Sequence, residues 1–430
     1  MACLTRPPLW LDEILQLLGT RDRRIDDSMR WVRDNPGGVP LGYLTQQATI
    51  HVLGFSVFSA RLPAALFSVL SCIALAWLLE ELDVPAPRLT LLLFASMPLQ
   101  FRYALEARPY SQALFFSIVA TALFVRLLRR PCLGTAGLYS LSVAAGLYTQ
   151  PYLLFTQIGQ VAWAAFCAPR RALAPIAAGA ALSTAGLLFA PWYLHARSHW
   201  ALSVQNAGLN FAPGPATLLQ AVRELSGGGY ACSVPLLCAA LLAVKSRCNG
   251  MLAPLAIGMA SAVAGALLAD QVSGYFFAAR QLIYLAPGLV IGAALWIALL
   301  QRNHPVAARA LTLLLIGPLV VQDWRMLRKS RENWALAATA LKSAVDLGGC
   351  VEMIPQRSSP DLYAFFEPTL RNHLCPVGRI VELHVIAAST PYTQSADEMR
   401  AVKELRSEGF RLQRVDAIGR MHLFYWDRPP

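Results

Sequence analysis

The sequence predicts an all-α polytopic membrane domain of about ten spans followed by a small soluble α/β domain. Three observations predict it. The 430 residues are 56% hydrophobic and 14% charged, against about 25% charged in an ordinary soluble protein. The charge is unevenly placed: about 8% of residues 62–322 are charged, and about 26% of residues 323–430. Apolar stretches of the kind that cross a bilayer, about 20 residues each, recur up to residue 322 and then stop. Residues 1–61 thus form a leading outer segment, 62–322 the membrane domain and 323–430 a soluble tail.

The candidate spans are 62–80, 88–103, 109–126, 133–149, 151–168, 172–194, 230–245, 251–269, 281–300 and 306–322. The second carries Pro98 in its interior and is the weakest. Alternate connections hold Arg88; Arg126, Arg129 and Arg130; Arg170 and Arg171; Lys245 and Arg247; Arg302 and Arg309. The bias of Lys and Arg toward cytoplasmic loops places these connections inside. Residues 1–61, 104–108, 195–229, 270–280 and the tail then face outside. The same pattern accounts for part of the net charge of +12. An anionic lipid headgroup, rather than nucleic acid, is the natural partner for the remainder.

With ten spans both termini are outside, yet nothing before residue 62 reads as a signal or first span. The expectation is an upstream helix absent from this version of the chain. Residues 11–33 mix apolar positions (Leu11, Ile14, Leu15, Leu18, Ile25, Met29, Trp31) with many charges, as amphipathic helices on a membrane surface do. In the tail, residues 331–346, 359–374 and 396–409 read as helices, and 348–354, 379–387, 410–416 and 420–426 as strands. No CxxC occurs among the nine cysteines. Cys72 and Cys238 read as apolar core residues. Cys350 and Cys375 could pair if the tail is extracytoplasmic.

An ionisable residue at a membrane boundary is expensive unless it is used or paired. Asp12 and Glu13 follow Trp10-Leu11 at the outer surface; they could act as base and support toward an acceptor hydroxyl, or be acids at a helix start. Arg102, Glu106 and Arg108 crowd a tight outer turn that ends in Tyr110. Glu106 could be one half of an ion pair, and the arginines could bind a phosphate. Arg280-Gln281 enters a span from outside, where the Arg could snorkel or meet a lipid phosphate. His195 and His199, four apart, could face a metal or pack at the interface beside Trp192 and Trp200.

Five short elements carry a resemblance. They are Trp10-Leu11-Asp12-Glu13, Arg61-Leu62-Pro63-Ala64-Ala65-Leu66-Phe67, Glu106-Ala107-Arg108-Pro109-Tyr110, Gly146-Leu147-Tyr148-Thr149-Gln150-Pro151-Tyr152, and Ala279-Arg280-Gln281-Leu282 leading to Pro287. In this order and topology the chain resembles the membrane glycosyltransferases of the GT-C fold, family 39, which include protein O-mannosyltransferases and lipid A aminoarabinose transferases. The resemblance covers nearly the whole chain. It implies transfer of a sugar from a polyprenyl-phosphate donor to a hydroxyl of a lipid, glycan or protein acceptor, with inversion, on the extracytoplasmic face of a bacterial inner membrane. It further implies Asp12 as catalytic carboxylate supported by Glu13. Arg108, Arg280 and Arg102 would bind the donor phosphate; Glu106, Tyr110, Tyr148, Tyr152 and Gln281 would bind substrate.

The chain departs from the family in three places. Relatives usually carry a transmembrane helix before the Asp-Glu loop. Many have a His-Pro-Pro-type element where this chain reads Asn35-Pro36-Gly37-Gly38-Val39-Pro40-Leu41-Gly42-Tyr43. The Glu-Lys pair of the aminoarabinose transferases is absent. No metal-ligand set is therefore assigned, and a divalent metal stays open. Two other readings compete: a transporter, disfavoured because most charges sit at span ends rather than mid-membrane, and an inactive scaffold of the same fold.

Overall fold

The structure, a computed structural model, describes residues 2–35, 37–167, 173–207, 252–273, 279–328, 332–354, 359–372, 383–389 and 396–427, with isolated positions between 219 and 241. It forms two compact units, one made of Met1–Leu18 with Leu327–Pro430, the other of Gly19–Met326.

The larger unit is helical. Its described elements are α3 (Ile25–Asp34), α4 (Pro40–Leu53), α5 (Val57–Glu81), α6 (Pro87–Ala95), α7 (Pro98–Ala104), α8 (Tyr110–Arg129), α9 (Leu133–Leu147), α10 (Leu153–Cys167) and α11 (Leu173–Ala207). Then come α12 (Ala253–Ser273), a 3₁₀ turn at Ala279–Leu285, α13 (Ala286–Asn303) and α14 (Pro305–Arg328). Among the described residues six helices are long and apolar enough to cross a membrane, and α9 and α10 are shorter apolar helices. The expected spans at 62–80, 109–126, 133–149, 151–168, 172–194, 251–269, 281–300 and 306–322 each coincide with one of these; the one at 230–245 lies outside the described residues.

The expected span at 88–103 is not one helix. It breaks into α6 and α7, with Pro98 as the first residue of α7. Proline has no N–H to continue a helix and pushes the preceding residue toward extended backbone; Met97 accordingly sits at φ −77°, ψ 117°. The break makes α7 short enough to end at the turn that holds Glu106 and Arg108.

Within the unit, α8 and the segment led by Arg280 are the most enclosed of the long apolar helices, and α14 is the least. Helices α5 and α8 pack along their lengths, with the Phe67 ring 5.5 Å from that of Phe115. Helices α10 and α12 also pack along their lengths, with glycines at points of close approach. A Cβ on Gly159 would stand 2.5 Å from Ser261 Cβ, and one on Gly265 would run into the Phe155 ring. Close approach of this kind is how apolar helices gain packing energy in a medium as apolar as they are. The Ser261 hydroxyl adds a hydrogen bond across the seam to the Phe155 carbonyl, at 2.8 Å.

The smaller unit contains α1 (Ala2–Thr5) and α2 (Leu11–Leu17), and from the tail α15 (Trp334–Asp346), α16 (Ser359–Ala364), a 3₁₀ turn at Pro368–Asn372 and α17 (Ala396–Ser407). The expected helix at 359–374 is thus split ahead of Pro368, for the same reason as at Pro98. Strands β1 (Cys350–Ile354), β2 (Leu383–Ser389), β3 (Arg411–Ile418) and β4 (Met421–Asp427) form one sheet in the order β1-β2-β4-β3. The β1–β2 pair is parallel and the other two are antiparallel. Strands β3 and β4 are joined by Gly419-Arg420, where Gly419 takes φ +64°, as a two-residue hairpin turn requires.

The core of this unit holds Trp334, Tyr363 and Val385. The Trp334 ring lies 5.0 Å from that of Tyr363, and its Nε1 donates to Glu332 at 2.9 Å. Cys350 is disulfide-bonded; Cys375 lies outside the described residues.

Candidate functional site

The turn between α7 and α8 gathers four of the residues singled out in the sequence. Arg102 Nε donates to Glu106 Oε1 at 2.9 Å, and the Glu106 side chain is only 1% exposed. Arg102 is in the last turn of α7, where a cation also meets the negative end of the helix dipole. Arg108 donates to the Tyr110 hydroxyl at 3.2 Å. Tyr110 is the first residue of α8, and its ring lies 4.6 Å from that of Tyr103. The Tyr103 hydroxyl is within charge-interaction range of Arg102, Glu106, Tyr110 and Arg280. The outcome is a half-buried arginine cluster ordered by one buried carboxylate and two phenol rings tilted against each other. A group of this kind favours an anion, because guanidinium planes present paired donors to phosphate oxygens.

Helix α4 supports the turn from behind. The Gln46 side-chain amide donates to the carbonyls of Ala60 and Ala107. Gly42 sits so close to Pro109 that a Cβ there would stand 2.4 Å from the Pro109 Cβ. Gln112, one turn into α8, donates to the Thr45 hydroxyl at 3.2 Å.

A second group surrounds Asp270, a fully buried carboxylate near the end of α12. It accepts from the Tyr152 hydroxyl and from Gln281 Nε2, the latter at 3.3 Å. Gln281 directly follows Arg280 in the 3₁₀ turn that leads into α13. Tyr284, one turn further on, is buried, and its hydroxyl donates to the Gln150 carbonyl at 3.5 Å. Tyr152 and Gln281 are therefore brought together, by a residue that the sequence pattern did not single out. Tyr148 is engaged elsewhere: its hydroxyl donates to the Leu188 carbonyl of α11, and its ring meets Phe189 edge-on.

His199 Nδ1 stands 3.1 Å from Asp34 Oδ1, and the His195 ring lies edge-on to Trp192. Among the described residues no group of three His, Cys, Asp or Glu is arranged to hold a metal ion. Asp34 is held below the ordinary carboxylate range, chiefly by the hydrogen bond from Arg33.

In the smaller unit Asp12 and Glu13 occupy the first turn of α2. The two differ. Glu13 is fully buried, and its carboxylate folds back to accept from the Trp10 N–H at 3.3 Å, closing the helix start. Asp12 is half-buried. Neighbours on a helix point about 100° apart, so the burial of Glu13 leaves Asp12 as the more accessible carboxylate of the pair. The buried Ile14 and Leu17 anchor α2, which packs on α16.

This architecture is shared with known structures. No family model matches the sequence, and no curated protein matches it. Solved structures do match the fold. ArnT from Cupriavidus metallidurans in its apo state aligns with a TM-score of 0.62 over 99% of this chain and 95% of its own, at 11% identity. The same protein bound to undecaprenyl phosphate aligns with a TM-score of 0.56 over the same shares, again at 11% identity. The Archaeoglobus fulgidus oligosaccharyltransferase aligns with a TM-score of 0.55 at 9% identity, over 98% of this chain and 70% of its own. The chain is an integral membrane protein of the GT-C fold. Within that fold it has the ArnT-like arrangement, a helical membrane domain followed by a small C-terminal domain built on a sheet.

Proposed function

We propose that the protein transfers a sugar from a polyprenyl-phosphate donor to a hydroxyl of a lipid, glycan or protein acceptor, with inversion, on the extracytoplasmic face of a bacterial inner membrane. The observation that carries this reading is the arginine cluster at the α7–α8 turn in a fold shared end to end with a protein that binds undecaprenyl phosphate. Arg108, Arg280 and Arg102 bind the donor phosphate. Asp12 takes the acceptor proton as the acceptor oxygen attacks the anomeric carbon. The bond from that carbon to the phosphate oxygen breaks, and the phosphate leaves with the electron pair. Charge growing on the leaving group meets fixed cations, which lowers the barrier. Glu13 acts by fixing the helix start beneath Asp12. Glu106 and Tyr110 hold the arginines, and Gln281, Tyr152 and Tyr148 line the approach of the substrate. The disulfide at Cys350 supports an oxidising compartment for the tail.

The test is reconstitution in proteoliposomes with sugar-loaded undecaprenyl phosphate, reading free undecaprenyl phosphate and glycosylated acceptor. Asp12→Asn should abolish transfer while the protein keeps its melting temperature. Full activity in that variant refutes the role of Asp12, and solute flux without sugar transfer in the same vesicles refutes the reaction.

A further inference from the structure

Asp270 is a buried carboxylate near the end of a largely apolar helix and is its one charged residue. Such a group is costly in a membrane protein and is retained where it is used. It does little for stability as it stands. Both of its hydrogen bonds, from Tyr152 and from Gln281, arrive at Oδ1. Oδ2 is enclosed and has no partner among the described residues. A half-satisfied buried acid costs desolvation that two hydrogen bonds only partly offset. Its bonds do, however, join three separate segments: the end of α12, the start of α10 and the 3₁₀ turn. Gln281 is the residue next to Arg280 in that 3₁₀ segment, whose i→i+3 hydrogen bonds have poorer geometry than those of an α-helix and hold it less firmly. Arg280 in turn comes within charge-interaction range of Tyr103 in the arginine cluster.

We infer that Asp270 is a positioning residue: by holding Gln281 and Tyr152 it locks the 3₁₀ turn so that Arg280 points at the donor phosphate. The inference rests on the reading of Arg280 as a phosphate ligand.

Binding of undecaprenyl phosphate to the purified full-length protein tests both. Arg280→Ala should weaken binding roughly tenfold, and Asp270→Ala should do the same. The double variant should bind no more weakly than Arg280→Ala alone, because Asp270 acts only through Arg280. Asp270→Asn should stay within about threefold of the parent protein, since an amide oxygen accepts both hydrogen bonds. Melting temperatures give the contrast: a merely structural Asp270 would lower stability and affinity by the same steps in both backgrounds. Asp270→Leu, which fills the space, carries the same expectation where Asp270→Ala does not fold. Unchanged affinity in Asp270→Ala or Asp270→Leu, or a loss that adds to that of Arg280→Ala, overturns the positioning role and leaves the donor reading standing. Unchanged affinity in Arg280→Ala overturns the donor reading itself.

Discussion

The side-chain amide of Gln46 donates to the Ala107 carbonyl at 3.3 Å, gripping the backbone between Glu106 and Arg108. The same nitrogen donates to the Ala60 carbonyl at 3.1 Å, and the amide oxygen accepts from the Thr20 hydroxyl at 3.1 Å. One buried side chain therefore ties α4, α5 and the α7–α8 turn together. Gln46→Leu keeps the bulk and removes all three bonds. It should cost about 2 kcal/mol of stability and lower sugar transfer by loosening the aim of Arg108. Thermal melting and the transfer assay check the two effects separately; an unchanged melting temperature removes Gln46 from this role.

The seam between α10 and α12 depends on residues without side chains. A Cβ at position 159 would meet Ser261 Cβ at 2.5 Å and the Ile257 carbonyl oxygen at 2.9 Å. Gly159→Ala should destabilise the protein by about 2 kcal/mol through overpacking. Gly186→Ala is the control, because a Cβ there meets nothing within 4 Å; its effect should stay within about 0.5 kcal/mol. Equal melting temperatures for the two variants would contradict the seam.

Tyr363 is fully buried in the tail, and its hydroxyl has no hydrogen-bond partner among the described residues. Burial, the larger cause, and the nearby charge of Glu332 push the phenol above its ordinary range. Removing an unsatisfied hydroxyl relieves its desolvation cost. Tyr363→Phe should therefore leave stability unchanged or raise it, by up to about 1 kcal/mol. A clear loss on denaturation would mean that the hydroxyl has a partner after all.

Cys132 is exposed at the start of α9. Its thiol is pulled below the ordinary range, first by the hydrogen bond with the Thr135 hydroxyl and then by the Thr135 N–H. A lowered value means more thiolate at a given pH, so maleimide labelling should be faster than for an ordinary thiol and persist to lower pH. Thr135→Val should slow it. In the proposed orientation, which puts Arg126, Arg129 and Arg130 on the cytoplasmic side, an impermeant maleimide should reach Cys132 in inverted vesicles and not in intact cells. Labelling in intact cells would reverse the proposed orientation.

Much of the membrane domain was legible because a bilayer demands long runs of apolar residues, and the tail because charged residues return where those runs stop. The failures have one cause. Pro98 and Pro368 each cut an expected helix; Pro98 marked its span as the weakest, but an apolar run did not show that the chain breaks there. At the candidate site, the sequence carried Arg102, Glu106, Arg108 and Tyr110 in one short run, where nearness along the chain guaranteed nearness in space. It did not carry Gln46 or Asp270, whose partners are far away along the chain. One signal for Asp270 was present, an acid closing an otherwise apolar stretch. Nothing marked Gln46, because an amide carries no charge to stand out against its neighbours.

The placement of α2 against α16 has a consequence for how the protein is made. The acidic doublet leaves the ribosome before the membrane helices, but α16, on which α2 packs, is translated only after them. Asp12 thus acquires its support last, when the tail has folded. A chain truncated before Ser359 would insert its helices and still lack a seated carboxylate.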